Sequence, residues 1–256
     1  MQAKGFVMTK SVDKVDDSNR ELRPNSGLAE LLADLNLNIS SNPRGTDKGD
    51  FKTYVRGFYE TEFNRRRFDK NRLLEIGVRS GASLALWANY FKDTEIIGVD
   101  VENVGTDAGP VQEYLDYESI TFVCGDAYSQ QFSHSLPGKF SIMIDDGPHS
   151  LASQKRFLEL YLPRLEEGGV LIIEDIQREY RDSYQLMKAL PGGDKCTFEI
   201  YDFRARSRTG DDFLFVVRHN KSGESYLMRK NYVRLRSLMS WIGVPYRRIK
   251  RFLMSM

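Results

Sequence analysis

Residues 73–87 read "LLEIGVRSGASLALW", and how that stretch divides decides the fold. Leu73 to Val78 is short, apolar and interrupted by glycine, as a strand buried on both faces would be. Gly77 and Gly81 flank a turn, and from Ser83 to Phe91 the apolar residues recur at helical spacing. A strand that turns on glycines into a helix lets the backbone approach a ligand closely, and the helix start offers unpaired N–H donors.

Four more runs of the same kind follow: "EIIGVDV" (95–101), "ITFVCGD" (120–126), "FSIMIDDG" (140–147) and "GVLIIEDI" (169–176). Nearly continuous apolar strands separated by helical stretches, such as Ser150 to Leu165, predict strand–helix–strand units and a parallel sheet covered on both faces. Two later runs, "CTFEIYDFR" (196–204) and "DFLFVVRHN" (212–220), have only "ARSRTGD" between them. That connection is too short for a helical crossover and suits a hairpin, so the sheet ends in an antiparallel pair. The expected fold is a doubly wound α/β, Rossmann-like, mostly parallel seven-stranded sheet with an antiparallel last strand.

The rest of the 256 residues divides around that core. Residues 1–25 are polar and aperiodic, a flexible arm. Residues 26–70 hold "LAELLADL" at helical spacing, with Ser26 placed to cap it, and form a helical lid and acceptor segment. Residues 71–222 form the ligand-binding domain. Residues 223–256 form a basic amphipathic helical extension, with Arg229, Lys230, Arg234, Arg236, Arg247, Arg248, Lys250 and Arg251 and no acid after Ser225. Such a tail can dock on the protein body, join two copies into a homo-oligomer, or lie peripherally on the inner face of a membrane.

Basic and acidic residues nearly cancel, 37 against 36, so overall charge gives no reason to expect a polyanion. Cys124 and Cys196 match neither a zinc spacing nor a disulfide framework, and no segment has the ~20 apolar residues needed to cross a bilayer. A soluble, cytoplasmic protein is expected.

Acids stand at successive strand ends. Asp100, about 25 residues beyond Glu75, is placed to accept from both hydroxyls of a ribose, and Asp126 to accept from an adenine amino group. The first turn lacks the full G-x-G-x-x-G pattern and brings Glu75 where phosphate would be repelled. A cationic adenosine derivative fits better than a dinucleotide. The next two strands end in Asp145-Asp146-Gly147-Pro148-His149 and Glu174-Asp175. Their carboxylates can converge across adjacent strand ends, and hard oxygen donors of this kind suit Mg²⁺ better than zinc. Without a cation such a cluster would repel itself.

On these residues the chain resembles the class I S-adenosylmethionine-dependent methyltransferases, over roughly residues 71–220. Within them it is similar to the metal-dependent macrocin, mycinamicin and novobiocin type of sugar O-methyltransferase. The resemblance implies S-adenosyl-L-methionine held by Thr46, Glu75, Gly77, Gly81, Ser83, Asp100, Asp126 and Asp145. It also implies Mg²⁺, or another divalent cation, on Asp146, Glu174 and Asp175, with Asp146 and His149 as the catalytic pair and His149 as the base. "GTDKG" and "YVRGFYETEF" look like the segment that closes over cofactor and acceptor, which makes Asp47, Lys48, Tyr54 and Tyr59 further pocket candidates. The implied partner is a saccharide or glycosylated small molecule. A catechol-like acceptor and a non-catalytic cofactor-binding scaffold are the alternatives. No nucleic-acid partner is expected, because the fourth strand lacks the Asn/Asp-Pro-Pro-aromatic segment used on flipped bases and the core is not basic.

Overall fold

The computed structural model describes residues 8–9, 26–190, 196–204 and 211–219. The basic extension expected over 223–256 lies outside the described residues. Of the arm expected over 1–25, only β1 (Met8–Thr9) is described, paired antiparallel with β4 (Ile120–Cys124).

Seven longer strands carry the fold. β2 (Lys70–Ile76), β3 (Asp93–Asp100), β4, β5 (Phe140–Asp145) and β6 (Leu165–Ile173) are parallel to one another. β7 (Cys196–Asp202) and β8 (Phe213–His219) form the expected antiparallel pair. β8 inserts beside β6, giving the order β1-β4-β3-β2-β5-β6-β8-β7. Because β8 is antiparallel to both its neighbours, β7 runs with β6 and β8 alone among the seven is reversed.

Alternation along each strand feeds two cores. Leu73, Ile142, Ile144, Val170 and Ile172 face one, while Leu74, Met143, Leu171 and Ile173 face the other. This is the period of two expected of a pleated strand covered on both sides. The first core is closed by α1 (Leu28–Asp34), α3 (Ala82–Tyr90) and a π-helical turn (Val55–Tyr59) that leads into α2 (Glu60–Asn64). Short α4 (Gln112–Leu115) packs beside α3. The second core is closed by α5 (Gln130–Ser135), α6 (Leu151–Tyr161) and α7 (Glu179–Ala189).

Helix starts follow the sequence at one place and depart from it at another. Ser150 caps α6 as its side chain accepts from the Ser153 amide, the usual device for an orphan first-turn donor. At α1 the cap is Gly27, not Ser26. Two acids replace the serine: Glu30 Oε2 takes the Gly27 amide at 3.2 Å, and Glu60 Oε1 takes the Leu28 amide at 3.1 Å. Ser26 is buried, and its hydroxyl has no hydrogen-bond partner among the described residues.

Candidate active site

Strand order reverses between β2 and β5, which are both followed by loops at their carboxyl ends. Ligands of doubly wound sheets bind at such a reversal. A cavity of about 500 Å³ opens there, within the range of small-molecule sites.

The glycine turn makes the cavity possible. Gly77 has φ +83°, and a Cβ on it would come within 2.1 Å of the Asp146 carbonyl oxygen. The β2 and β5 loops therefore touch only because residue 77 has no side chain. Gly81, at φ +89°, is the cap of α3, and Ala82 and Ser83 of its first turn line the cavity. Four non-glycine residues among those described have positive φ, and three of them, Arg79, His149 and Asp175, lie on the cavity wall. Strained backbone of this kind, costing about 1–3 kcal/mol per residue, concentrates where side chains must be aimed.

The β3/β4 end of the cavity is polar and open. Asp100 Oδ2 accepts from the Arg79 amide at 2.9 Å and Oδ1 from the Glu102 amide at 3.1 Å. Asp126 Oδ1 accepts from the Tyr128 amide at 2.9 Å. Both acids line the cavity, held in place by backbone within a few residues of the strand ends.

The β5/β6 end is different. Asp146 Oδ1 lies 3.1 Å from His149 Nε2, and Asp175 Oδ2 lies 3.7 Å from His149 Nδ1. One donor atom from each of Asp146, His149 and Asp175 falls within 4.8 Å of the others. Two lysines from the 45–54 segment neutralise the acids. Lys48 Nζ, on a side chain 1% exposed, reaches Asp146 Oδ2 at 2.5 Å, Glu174 Oε2 at 2.7 Å and Glu75 Oε1 at 3.6 Å. Lys52 Nζ bridges Asp175 Oδ1 at 3.0 Å and Asp211 Oδ1 at 2.6 Å. The charge conflict read from the sequence is thus relieved inside the chain.

The π-helical turn supplies the remaining partners. In an α-helix residues five apart point about 140° away from each other, whereas a turn closed by i→i+5 bonds brings them onto one side. Tyr54 and Tyr59 accordingly both reach the end of β6: Tyr54 donates to Asp175 Oδ1 at 2.6 Å, and Tyr59 donates to Glu174 Oε1. Tyr54 also accepts from the Phe213 amide at 3.1 Å. Both tyrosines are fully buried. They brace the acids from behind and do not line the cavity.

Electrostatics follow from this packing. Burial works against an ionised Asp146, but Lys48 and His149 outweigh it and lower its pKa. Burial pushes the Glu174 carboxyl well above its usual range, helped by the charges of Asp146 and Asp175 and opposed by Lys48. Burial alone would discharge Lys48, yet Asp146, Glu174, Glu75 and Asp47 raise its pKa instead. His149 is also raised: burial disfavours its cation, but the hydrogen bond and charge of Asp146, with Asp175, prevail.

Of the residues expected at the site, Thr46, Gly77, Ser83, Asp100, Asp126, Asp146, His149 and Asp175 line the cavity, whereas Glu75, Gly81, Asp145 and Glu174 do not. Glu75 is wholly buried and takes the Trp87 indole N–H at 2.7 Å. It orders the turn from behind and leaves no oxygen on the wall. Asp145 is sealed off by Tyr128, whose hydroxyl donates to it, and burial pushes its carboxyl up to about 6. Glu174 is engaged by Lys48 and Tyr59, while the cluster of donor atoms among the described residues is formed by Asp146, His149 and Asp175. Lys52 and Tyr128 were not expected. Lys52 was detectable in principle, since buried acids demand counter-charges and it follows Lys48 by four residues in the segment already singled out.

Comparison with known proteins gives a consistent result. Residues 74–176 match the model of a methyltransferase domain. A tetracenomycin-C rhamnosyl 3'-O-methyltransferase of Streptomyces olivaceus is 29% identical over 149 residues, 54% of this chain and 36% of the relative. The mycinamicin VI 2''-O-methyltransferase of Micromonospora griseorubida is 28% identical over 145 residues, 53% of this chain and 34% of the relative. The chain thus aligns with only about a third of these relatives' length. Among solved structures, the MycE methyltransferase of the mycinamycin pathway superposes with a TM-score of 0.56 at 21% identity, covering 80% of this chain and 57% of that one. An O-methyltransferase fold from Klebsiella pneumoniae gives 0.55 at 18% identity, covering 78% and 92%. Residues 74–176, which hold the glycine turn and the strand reversal, are therefore similar to a methyltransferase domain, and the sheet order with its reversed β8 shares the fold of these solved methyltransferases.

Proposed function

We propose that the protein is an S-adenosylmethionine-dependent, divalent-metal-dependent O-methyltransferase acting on a hydroxyl of a saccharide or glycosylated acceptor. One observation carries the reading: a single cavity runs from Asp100 and Asp126, suited to an adenosine, to the Asp146–His149–Asp175 triangle, suited to a hard cation and a proton. The relatives' names support it, since they describe O-methylation of glycosylated natural products. The MycE structure was obtained with Mg, S-adenosylhomocysteine and mycinamycin VI.

The two carboxylates of Asp146 and Asp175, with cavity space beside them for further oxygen ligands, fit a divalent ion of the Mg²⁺ type. Asp146 and Asp175 would hold it, and Glu174 backs Asp146 through Lys48. When bound, the ion would stabilise an acceptor alkoxide by direct charge contact. His149 is the group that takes the hydroxyl proton, steered by the two carboxylates on either side of its ring. Asp100 and Asp126 fix the donor's nucleoside, so that methyl group and oxygen meet at about 3–3.5 Å.

The decisive experiment is incubation with S-adenosylmethionine and a panel of glycans and glycosylated small molecules, with Mg²⁺ or with chelator, read by mass spectrometry. Methylated glycoside appearing only with metal is the expected result. Turnover indifferent to chelation removes the metal from the mechanism, and methylation of catechols but not glycosides changes the acceptor class. Cofactor binding without any turnover leaves a scaffold.

A further inference from the structure

Asp175 gives its two oxygens to different neighbours. Oδ1 accepts from the Tyr54 hydroxyl at 2.6 Å and from the Lys52 ammonium at 3.0 Å, and a carboxylate oxygen has about two lone-pair directions to offer. Both are taken. Oδ2 faces His149 Nδ1 at 3.7 Å. The Lys52 bridge to Asp211 Oδ1 at 2.6 Å anchors the ammonium in this place.

Asp146 repeats the arrangement with the other lysine. Its Oδ2 lies 2.5 Å from Lys48 Nζ, and its Oδ1 lies 3.1 Å from His149 Nε2. Each of these two carboxylates thus has one oxygen under a buried ammonium and one turned to the imidazole. A divalent cation that gripped either group through both oxygens would bring its charge against an ammonium, and like charges repel most where water is excluded. One oxygen from each acid is what remains for an ion.

That limit discriminates between ions. Ca²⁺ takes roughly six to eight oxygens and commonly includes bidentate carboxylates, whereas Mg²⁺ takes about six at shorter distance and is held by one or two carboxylates while keeping several waters. Resting on the metal-dependent reading above, we propose that Lys52 is a specificity-determining residue for the ion: its ammonium confines Asp175 to a single coordinating oxygen, as Lys48 confines Asp146, so that the site takes a small, largely hydrated cation and rejects Ca²⁺. Lys52 touches no ion itself and acts by positioning Asp175. It is the better probe of the two lysines, because Lys48 also neutralises the buried Glu75 and Glu174.

The experiment is Mn²⁺ binding to the full chain, followed by electron paramagnetic resonance, with displacement by Mg²⁺ and by Ca²⁺. In the wild type Mg²⁺ should displace Mn²⁺ at about tenfold lower concentration than Ca²⁺ does. Lys52→Met should shift that ratio about tenfold toward Ca²⁺, and Lys52→Arg should keep most of the wild-type preference. Lost charge or a loosened fold moves both ions together, so the ratio reports how many oxygens Asp175 offers. Water-proton relaxation, which needs no variant, should find about three or four waters left on Mn²⁺ bound to the wild type. No Mg²⁺ preference in the wild type, a ratio unchanged in Lys52→Met, or bound Mn²⁺ with fewer than about three waters overturns the proposal. A wild type that binds no Mn²⁺ overturns the metal reading itself.

Discussion

The two ends of the cavity hold acids in opposite ways. At β3/β4, Asp100 and Asp126 are fixed by amides two to twenty-one residues away and keep their remaining capacity turned to the cavity. At β5/β6, Asp146, Glu174 and Asp175 are fixed by ammonium and phenol groups that arrive from a segment more than 90 residues earlier. Backbone amides are neutral donors, so they orient an acid without cancelling its charge. Lysines orient and cancel together. One end leaves its acids charged and, in the function proposed, free to meet a ligand's hydroxyls and amino group, while the other concentrates negative charge that the fold itself keeps in check.

The largest way to break this contrast is to remove the internal cation. Lys48→Met leaves Glu75 and Glu174 buried without their partner, and loss of one member of a buried ion cluster costs about 3–5 kcal/mol. Urea denaturation should show that loss, and Glu174→Gln in the same chain should recover part of it by removing one stranded charge. A comparable change at the open end, Asp100→Asn, should alter stability by less than about 1 kcal/mol because its partners are solvated amides.

Activity should divide the ends in the other direction. Asp146→Asn or Asp175→Asn should lower kcat about 10²- to 10³-fold, the size of losing a central electrostatic stabiliser, with affinity for S-adenosylhomocysteine little changed. Asp100→Asn should instead raise the KM for S-adenosylmethionine about tenfold and spare kcat, the pattern of a ground-state binding contact. Steady-state kinetics on both variants checks the division, and the same pattern from both would erase it.

The smallest effect concerns protonation. Asp146 and Asp175 raise the His149 pKa against the effect of burial, so the imidazole holds its proton to higher pH than usual. A protonated ring cannot accept the hydroxyl proton, and kcat/KM should therefore fall as pH drops through that pKa. NMR titration, simplified by there being only three histidines, should find the His149 signal moving to lower pH in Asp146→Asn. A signal that stays in place would detach the imidazole from its carboxylate.

The same contrast explains what could be read from the chain. Every strand from β2 to β8 was legible because each is a short apolar run with its own punctuation, and the open end was legible because Asp100 and Asp126 sit at the strand ends that carry them. The placement of Glu75, Asp145 and Glu174 behind the cavity wall was not. Nothing local distinguishes an acid on a cavity wall from one turned inward to Trp87, Tyr128 or Lys48. Ser26 failed for the same reason, since the carboxylate that relieves α1 comes from Glu60.

The π-helical turn before α2 has a consequence for how this site could change with time. Substitutions that closed Tyr54 to Tyr59 as ordinary α-helix, with no residue lost, would be a gain in regularity. They would also swing one phenol out of line, leaving either Glu174 or Asp175 without its brace. Such a regularised chain should fold and yet work poorly, so the irregular turn is a place where selection for mere robustness and selection for turnover pull apart.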